Sequence, residues 1–286
     1  MFSVVRGFSG SPAAGVVTEK VFSFLHFILT IVMSESIDLA VEAWLHSRMG
    51  MCDVLDEVEF QVGQRGVQSF STSIPISSIN GVLSSTADVD LDELRNFAEN
   101  FRGRGAPWSI QTRNKSQSIS VESIARDKGL TNYYESPFMT KVLGEADSIA
   151  PPFDNNIYRI GARDSEIYRR TLAAGFEVSE RFFEELSAPR FIDRETVAAY
   201  LMFENGVAVA TAFGSLNNGY VGVFNVSTIP DYRGRGFGRA ITQRVLRDGY
   251  LRGARAAFLH SSPSGFRVYE SLGFVTKEMW QVYTVP

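Results

Sequence analysis

The residues best suited to chemistry lie between Asn225 and Arg239, in the run Asn-Val-Ser-Thr-Ile-Pro-Asp-Tyr-Arg-Gly-Arg-Gly-Phe-Gly-Arg. A strand runs into a loop with glycine at 234, 236 and 238, and an amphipathic helix with Ile241, Val245 and Leu246 facing inward starts directly after it. Unblocked backbone N–H groups and the positive end of a helix then meet at one point, an arrangement that binds phosphate. The glycines let the main chain approach a ligand without Cβ clashes, and Arg233, Arg235 and Arg239 can add positive charge. Spacing narrows the ligand. A dinucleotide fingerprint needs Gly or Ala where Arg239 stands and an acidic residue about 20 positions later at a strand end, and a P-loop needs Gly-Lys-Ser/Thr; the run has neither.

The phrase Arg233-Gly-Arg-Gly236-Phe-Gly238 fits R/Q-x-x-G-x-G/A and resembles the loop of the GNAT family of N-acetyltransferases. Three further pieces sit in that family's order. Phe224 to Thr228 resembles its splayed fourth strand, whose backbone pairs with the pantetheine arm of acetyl-CoA. Val268-Tyr269-Glu270-Ser271-Leu272-Gly273-Phe274 resembles its Tyr-Glu-x-x-Gly-Phe signature, and Ser262 stands where an Asn often touches the cofactor. The resemblance covers residues 155–286 and implies an α/β fold, with a mixed, largely antiparallel central sheet flanked by helices. It assigns acetyl-CoA contact to Val226, Ser227, Thr228, Arg233, Gly234, Arg235, Gly236, Phe237, Gly238, Arg239 and Ser262, and makes Tyr269 the acid that protonates the departing thiolate. The implied reaction is direct attack of a primary amine, on a small molecule or peptide, upon the acetyl thioester, with no metal.

The general base is the gap in that scheme. Family members often use a carboxylate on the fourth or fifth strand, yet Ala256 to Leu259 has none and Tyr220 to Val226 offers only Asn225. A water chain, an amine of low pKa, or His260 at the end of the fifth strand are the alternatives, and His260 reads equally as a strand-end hydrogen bond. A non-catalytic acyl-CoA-binding regulatory module is the competing function. Phe182, Phe183, Phe191 and Phe203 precede the cofactor strands, where the family builds its acceptor pocket, and are read either as core or as pocket lining.

The elements that must carry these residues are readable from periodicity. Strands are expected at 158–160, 197–203, 207–213, 220–226, 256–260 and 275–283, and helices at 165–174, 179–186, 239–251 and 264–272. Earlier in the chain helices are expected at 36–49, 88–101 and 121–128, with strands at 70–73, 76–83 (broken by the turn-like Asn80-Gly81), 107–111 and near Tyr133. Pro151-Pro152-Phe153-Asp154 reads as a stiff link. Helix, strand, short helix, glycine and strand recur on both sides of it: Phe101-Arg102-Gly103 matches Leu251-Arg252-Gly253, and Gly129-Leu130 matches Gly273-Phe274. The expected organisation is an extension at 1–33, a degenerate GNAT-like domain at 34–150 and a catalytic domain at 151–286. Ser84 to Asp88 replaces the glycine loop in the first copy and brings negative charge, so that copy is expected to bind pyrophosphate poorly. Arg102-Gly-Arg-Gly105 reads as a helix-ending turn.

Composition bounds the rest. The 286 residues, 44% apolar and 21% charged, fit a folded soluble protein of about two domains. A net charge of −4 provides no global field for nucleic acid or an anionic membrane, and neither is expected as a partner. A single cysteine, Cys52, excludes an intrachain disulfide and fits a cytoplasmic location. The apolar run Val21 to Met33 is shorter than the roughly 20 residues of a bilayer span, and no small-x-small site follows it directly; it reads as a buried element or as an extension before Met33. A first half covering the catalytic sheet as a second subunit would favours a monomer over a homodimer.

Overall fold

A computed structural model of the chain describes residues 36–55, 57–101 and 106–285; the Val21–Met33 run and the Arg102–Gly105 turn lie outside them. In chain order the elements are α1 (Ile37–Cys52), β1 (Val58–Val62), β2 (Val67–Thr72), β3 (Gly81–Ser84), α2 (Leu91–Glu99), β4 (Ser109–Thr112), α3 (Ser118–Asp127) and β5 (Asn132–Val142). The second half continues with β6 (Ile157–Arg159), α4 (Ser165–Phe176), α5 (Pro189–Ile192), β7 (Val197–Glu204), β8 (Val207–Asn217), β9 (Tyr220–Thr228), α6 (Phe237–Leu251), β10 (Ala256–His260), α7 (Phe266–Ser271) and β11 (Val275–Thr284). The expected α/β class, with a mixed and largely antiparallel sheet flanked by helices, is what forms.

All eleven strands join one sheet in the order β1-β2-β3-β4-β11-β5-β10-β9-β8-β7-β6. Only β3 with β4 and β9 with β10 run parallel, each pair being linked through a helix. The two halves exchange their last strands: β5 pairs with β10, β11 pairs with β4, and β5 and β11 pair with each other. Thr140 stands opposite Val275 at one end of that central pair and Asn132 opposite Thr284 at the other, so the seam is nearly two-fold symmetric.

Alternation along β7 sorts its side chains between two cores. Ala198, Tyr200 and Met202 face α6, packing with Ala240, Ile241, Val245 and Leu246, while Val197, Ala199 and Leu201 face α4 with Tyr168 and Leu172. The 3.6-residue period of α6 puts Ile241, Val245 and Leu246 at no more than 1% exposure, each contributing about 1.5–3 kcal/mol of burial.

Two expected elements take a different form. The expected strand at 76–83 is a strand only over Gly81–Ser84. Before it, the Asn80 side chain accepts from the N–H and hydroxyl of Thr72 at 2.7 and 2.9 Å and donates to Ile74 O at 2.7 Å, closing a tight turn. The helix expected at 179–186 is a pair of 3₁₀ turns, Glu180–Phe183 and Glu185–Ser187, ended by Pro189; burying Phe183, Leu186 and Phe191 in the α4 core fixes the path.

Candidate active site

The site opens where β9 and β10 part. Their parallel pairing runs only through Tyr220–Ala256, Val221–Ala257 and Gly222–Phe258, after which β9 continues to Thr228 with no strand on that edge. Asn225 sharpens the divergence. It takes φ +50°, the register to β8 slips between Thr211 and Phe213, and the Thr211 hydroxyl donates to Asn225 O at 2.9 Å. This is a bulge, with Asn serving as a residue that tolerates the left-handed region. The open edge of β9 offers main-chain groups to an extended ligand.

The glycine loop follows. After the 3₁₀ turn Pro230–Tyr232, Gly234 and Gly236 take φ +76° and +85°, and Gly236 caps α6 without a side chain. No described atom lies within 4 Å of where a Cβ would stand at either glycine, so backbone conformation rather than crowding requires them. The first N–H groups of the 15-residue α6 therefore face outward at the positive end of its dipole.

The arginines divide their work. Arg233 donates to Thr228 O at 3.1 Å and Gly175 O at 2.8 Å and pairs with Glu177 at 2.7 Å, so it pins the loop to β9 and α4. Arg235 lies over the Tyr232 ring at 4.8 Å and donates to Asp231 O, and Arg239 bonds Ser271 at its carbonyl and hydroxyl. Phe237 turns its ring into the core at 4% exposure, leaving only its main chain at the loop. Ser227 is likewise turned away, its hydroxyl 2.8 Å from that of Thr211, whereas Thr228 sits beside Gly238.

Val226, Ser262 and Tyr269 line one cavity of about 460 Å³ beyond the splay, together with Val223, Phe224, Asn225 and His260. Tyr269 is 9% exposed, burial pushes its hydroxyl up to about 12, and that hydroxyl has no hydrogen-bond partner among the described residues. Ser262 accepts from the Gly265 N–H at 3.2 Å. His260 bonds Ser136 Oγ through Nδ1 at 3.0 Å inside a cage of Trp44, Phe138 and Trp280. Burial first, and then the Arg48 charge, lower it to about 3; His260 is neutral at physiological pH and a weak base. Of the four phenylalanines raised from sequence, Phe183 lines the cavity, Phe191 is buried against Phe213, Phe203 packs edge-on to Tyr158 at the sheet rim, and Phe182 lies under Arg181.

Sequence reasoning missed the far wall. Trp44, Arg48 and Cys52 from α1, Ile76 and Ile79 from the β2–β3 turn, and Tyr134 and Ser136 from β5 all face the same cavity. The i, i+4, i+8 stripe of Trp44, Arg48 and Cys52 was the one available signal, an arginine on the apolar side of a helix.

In the first half, the start of α2 is capped from within. Asp90 caps α2 through Glu93 N at 2.9 Å and pairs with Arg65 at 2.7 Å, while the Glu93 carboxylate accepts from the N–H groups of Gln64, Arg65 and Val67.

Residues 165–274 match the Acetyltransferase (GNAT) family. Over 105 residues, 36% of this chain and 67% of the relative, it is 28% identical to the [Ribosomal protein bS18]-alanine N-acetyltransferase of Escherichia coli K12. Among solved structures, a GCN5-related N-acetyltransferase from Kribbella flavida superposes with a TM-score of 0.64 at 18% identity, covering 88% of this chain and 96% of its own. A functionally unknown conserved protein from Staphylococcus epidermidis ATCC 12228 does so at 0.58 and 11% identity, covering 84% and 98%. These two likenesses concern the fold, and they extend across both halves of the sheet.

Proposed function

We propose, from the premise that residues 165–274 are an acetyltransferase domain of the GNAT family, that the chain transfers an acetyl group from acetyl-CoA to the primary amine of an acceptor seated in the 460 Å³ cavity. The observation that carries this reading is the continuity of three features. The open edge of β9 begins after Gly222, its Val226 lines the same cavity as Tyr269, and its end leads through the glycine loop into the first amides of α6.

Bound acetyl-CoA supplies an activated thioester carbonyl to a neutral amine. On this reading the amides from Arg235 to Arg239 grip the diphosphate, and Val226 to Thr228 pair with the pantetheine arm. An N–H near Val226 stabilises the developing oxyanion, and Tyr269 donates its proton to the leaving sulfur. Fixing the two reactants side by side supplies much of the acceleration. No carboxylate lines the cavity among the described residues, and His260 is a weak base, so the amine must arrive neutral or lose its proton to water. The first half is read as a degenerate copy whose carboxylates stand where the diphosphate would be, and which contributes the acceptor wall. Direct transfer is tested by following CoA thiol release with a panel of amines. Tyr269→Phe should lower kcat about 10²–10⁴-fold with acetyl-CoA affinity kept within about twofold. An unchanged kcat removes Tyr269 as the acid, and no release with any amine favours a binding module without catalysis.

A further inference from the structure

Arg48 is a cation buried in an apolar chamber. It is 8% exposed, its guanidinium lies 4.5 Å from the Phe70 ring centre and 5.4 Å from that of Trp44, and Nη1 and Nη2 donate to Ser78 O at 2.9 Å and Ile79 O at 2.8 Å. An arginine has five N–H donors, so these two bonds leave capacity unspent. Nε is buried with no partner, and no carboxylate pairs with Arg48 among the described residues. Burial brings the group down to about 10, which leaves it charged at neutral pH. A buried charge without a counter-ion is costly, and a site that keeps one gains when an anion arrives.

The surroundings say what kind of anion. Arg48 is the one ionised side chain among the described residues lining the cavity, and the walls are otherwise dominated by Trp44, Leu55, Phe176, Phe183, Phe213 and Phe224. His260 Nε2 is also buried without a partner, which provides a further polar contact for a small ligand. Trp44 links the two ends: its ring centre is 5.4 Å from the Arg48 guanidinium and 5.4 Å from the His260 ring, two residues before Ser262.

We propose that Arg48 pairs with a carboxylate of the acceptor, which is therefore a small α-amino acid with an apolar side chain, its amine turned to the thioester and its body against the aromatic wall. This rests on the acyl-transfer reading above. An N–C bond forms to the acetyl carbon, the C–S bond breaks, the amine proton leaves to solvent, the thiol departs carrying the Tyr269 proton, and solvent returns a proton to the Tyr269 phenolate. The products are an N-acetyl amino acid and CoA. A peptide N-terminus has no α-carboxylate beside its amine and lacks the group Arg48 selects.

The test compares CoA release with L-leucine, L-phenylalanine, 3-methylbutylamine, 2-phenylethylamine and leucinamide, in the intact wild type and in Arg48→Met and Arg48→Lys, with acetyl-CoA binding followed by calorimetry. In the wild type at least one amino acid should exceed its decarboxylated partner and the amide by 100-fold or more in kcat/KM. Arg48→Met should bring that ratio to within about threefold, Arg48→Lys should fall between, and acetyl-CoA affinity should stay within about twofold. Equal use of amines without a carboxylate, no use of either amino acid while acetyl-CoA binds, or a ratio kept in Arg48→Met overturns the proposal. The wild-type comparison stands even where a variant fails to fold. Absence of acetyl-CoA heat instead overturns the acyl-transfer reading beneath it, and this one with it.

Discussion

At the scale of single residues the site is a set of side chains whose protonation is fixed by burial. Tyr269, pushed up to about 12, stays protonated through the neutral range, so the proton that the proposed transfer needs at the leaving sulfur is present at every working pH. The profile of kcat/KM should therefore rise with pH until the acceptor amine is neutral and then stay flat to about pH 10; an alkaline fall below pH 9 would contradict this role. His260 acts oppositely. Its folded pKa of about 3 lies below the unfolded value near 6.5, so the unfolded chain binds the extra proton between those limits. The stability this residue protects is complete above pH 6.5 and is lost as pH falls towards 3, by roughly 3–5 kcal/mol over that window. His260→Asn should flatten the decline of Tm with acid, measured by calorimetry from pH 7 to 4. A decline equal to the wild type's would show that other groups govern it.

At the scale of elements, what matters is how a strand, a loop and a helix start are locked together. Arg233, whose charge the sequence offers to a phosphate, bonds Thr228 O and Gly175 O and pairs with Glu177, and these contacts hold the loop in place. Arg233→Ala should cost about 1–2 kcal/mol of stability, since the ion pair is largely exposed and contributes little beyond the two carbonyl bonds. Arg235→Ala should leave Tm within about 1 °C, its partners being one face of a half-buried ring and a turn carbonyl. Equal losses in the two variants would contradict this division of roles.

The C-terminal elements were legible because each carries a local signal. The 3.6 period of α6, the Asn205-Gly206 hairpin and the Gly loop sit inside short windows, and β10 falls on its expected span, Ala256–His260. Asn80-Gly81 marks a turn in the sequence, but how far the turn reaches back towards Thr72, and the 3₁₀ turns before Pro189, were not legible. A side chain bonding across eight residues and a core pulling Phe183 and Phe191 inward are tertiary effects that no local window contains.

At the scale of the whole molecule the exchange of β5 and β11 decides how far the halves are independent. The sequence repeat points to two copies in series, but a repeat cannot say that the last strand of each lies against the other's sheet. The far wall was hidden for that reason: Trp44, Arg48, Tyr134 and Ser136 belong by sequence to the half without the glycine loop. Cutting the chain after Ala150 should give a 151–286 fragment with no cooperative melt by circular dichroism, because β10 and β11 lose the strand between them. Co-expression with 1–150 should restore the melt. A 151–286 fragment melting within a few degrees of the intact chain would contradict a shared sheet.

The grip of bare amides at the start of α6 on a diphosphate is best tested by titrating CoA calorimetrically into the intact wild type and into Gly236→Asp. Asp tolerates the left-handed conformation better than most residues and places at α6 the carboxylate that Asp90 supplies at α2, so the fold should persist while the anion site is filled. The expected result is one CoA per wild-type chain and at least a 100-fold loss of affinity in Gly236→Asp, with Tm changed by no more than a few degrees. No heat with the folded wild type, or equal binding by the variant, would contradict it.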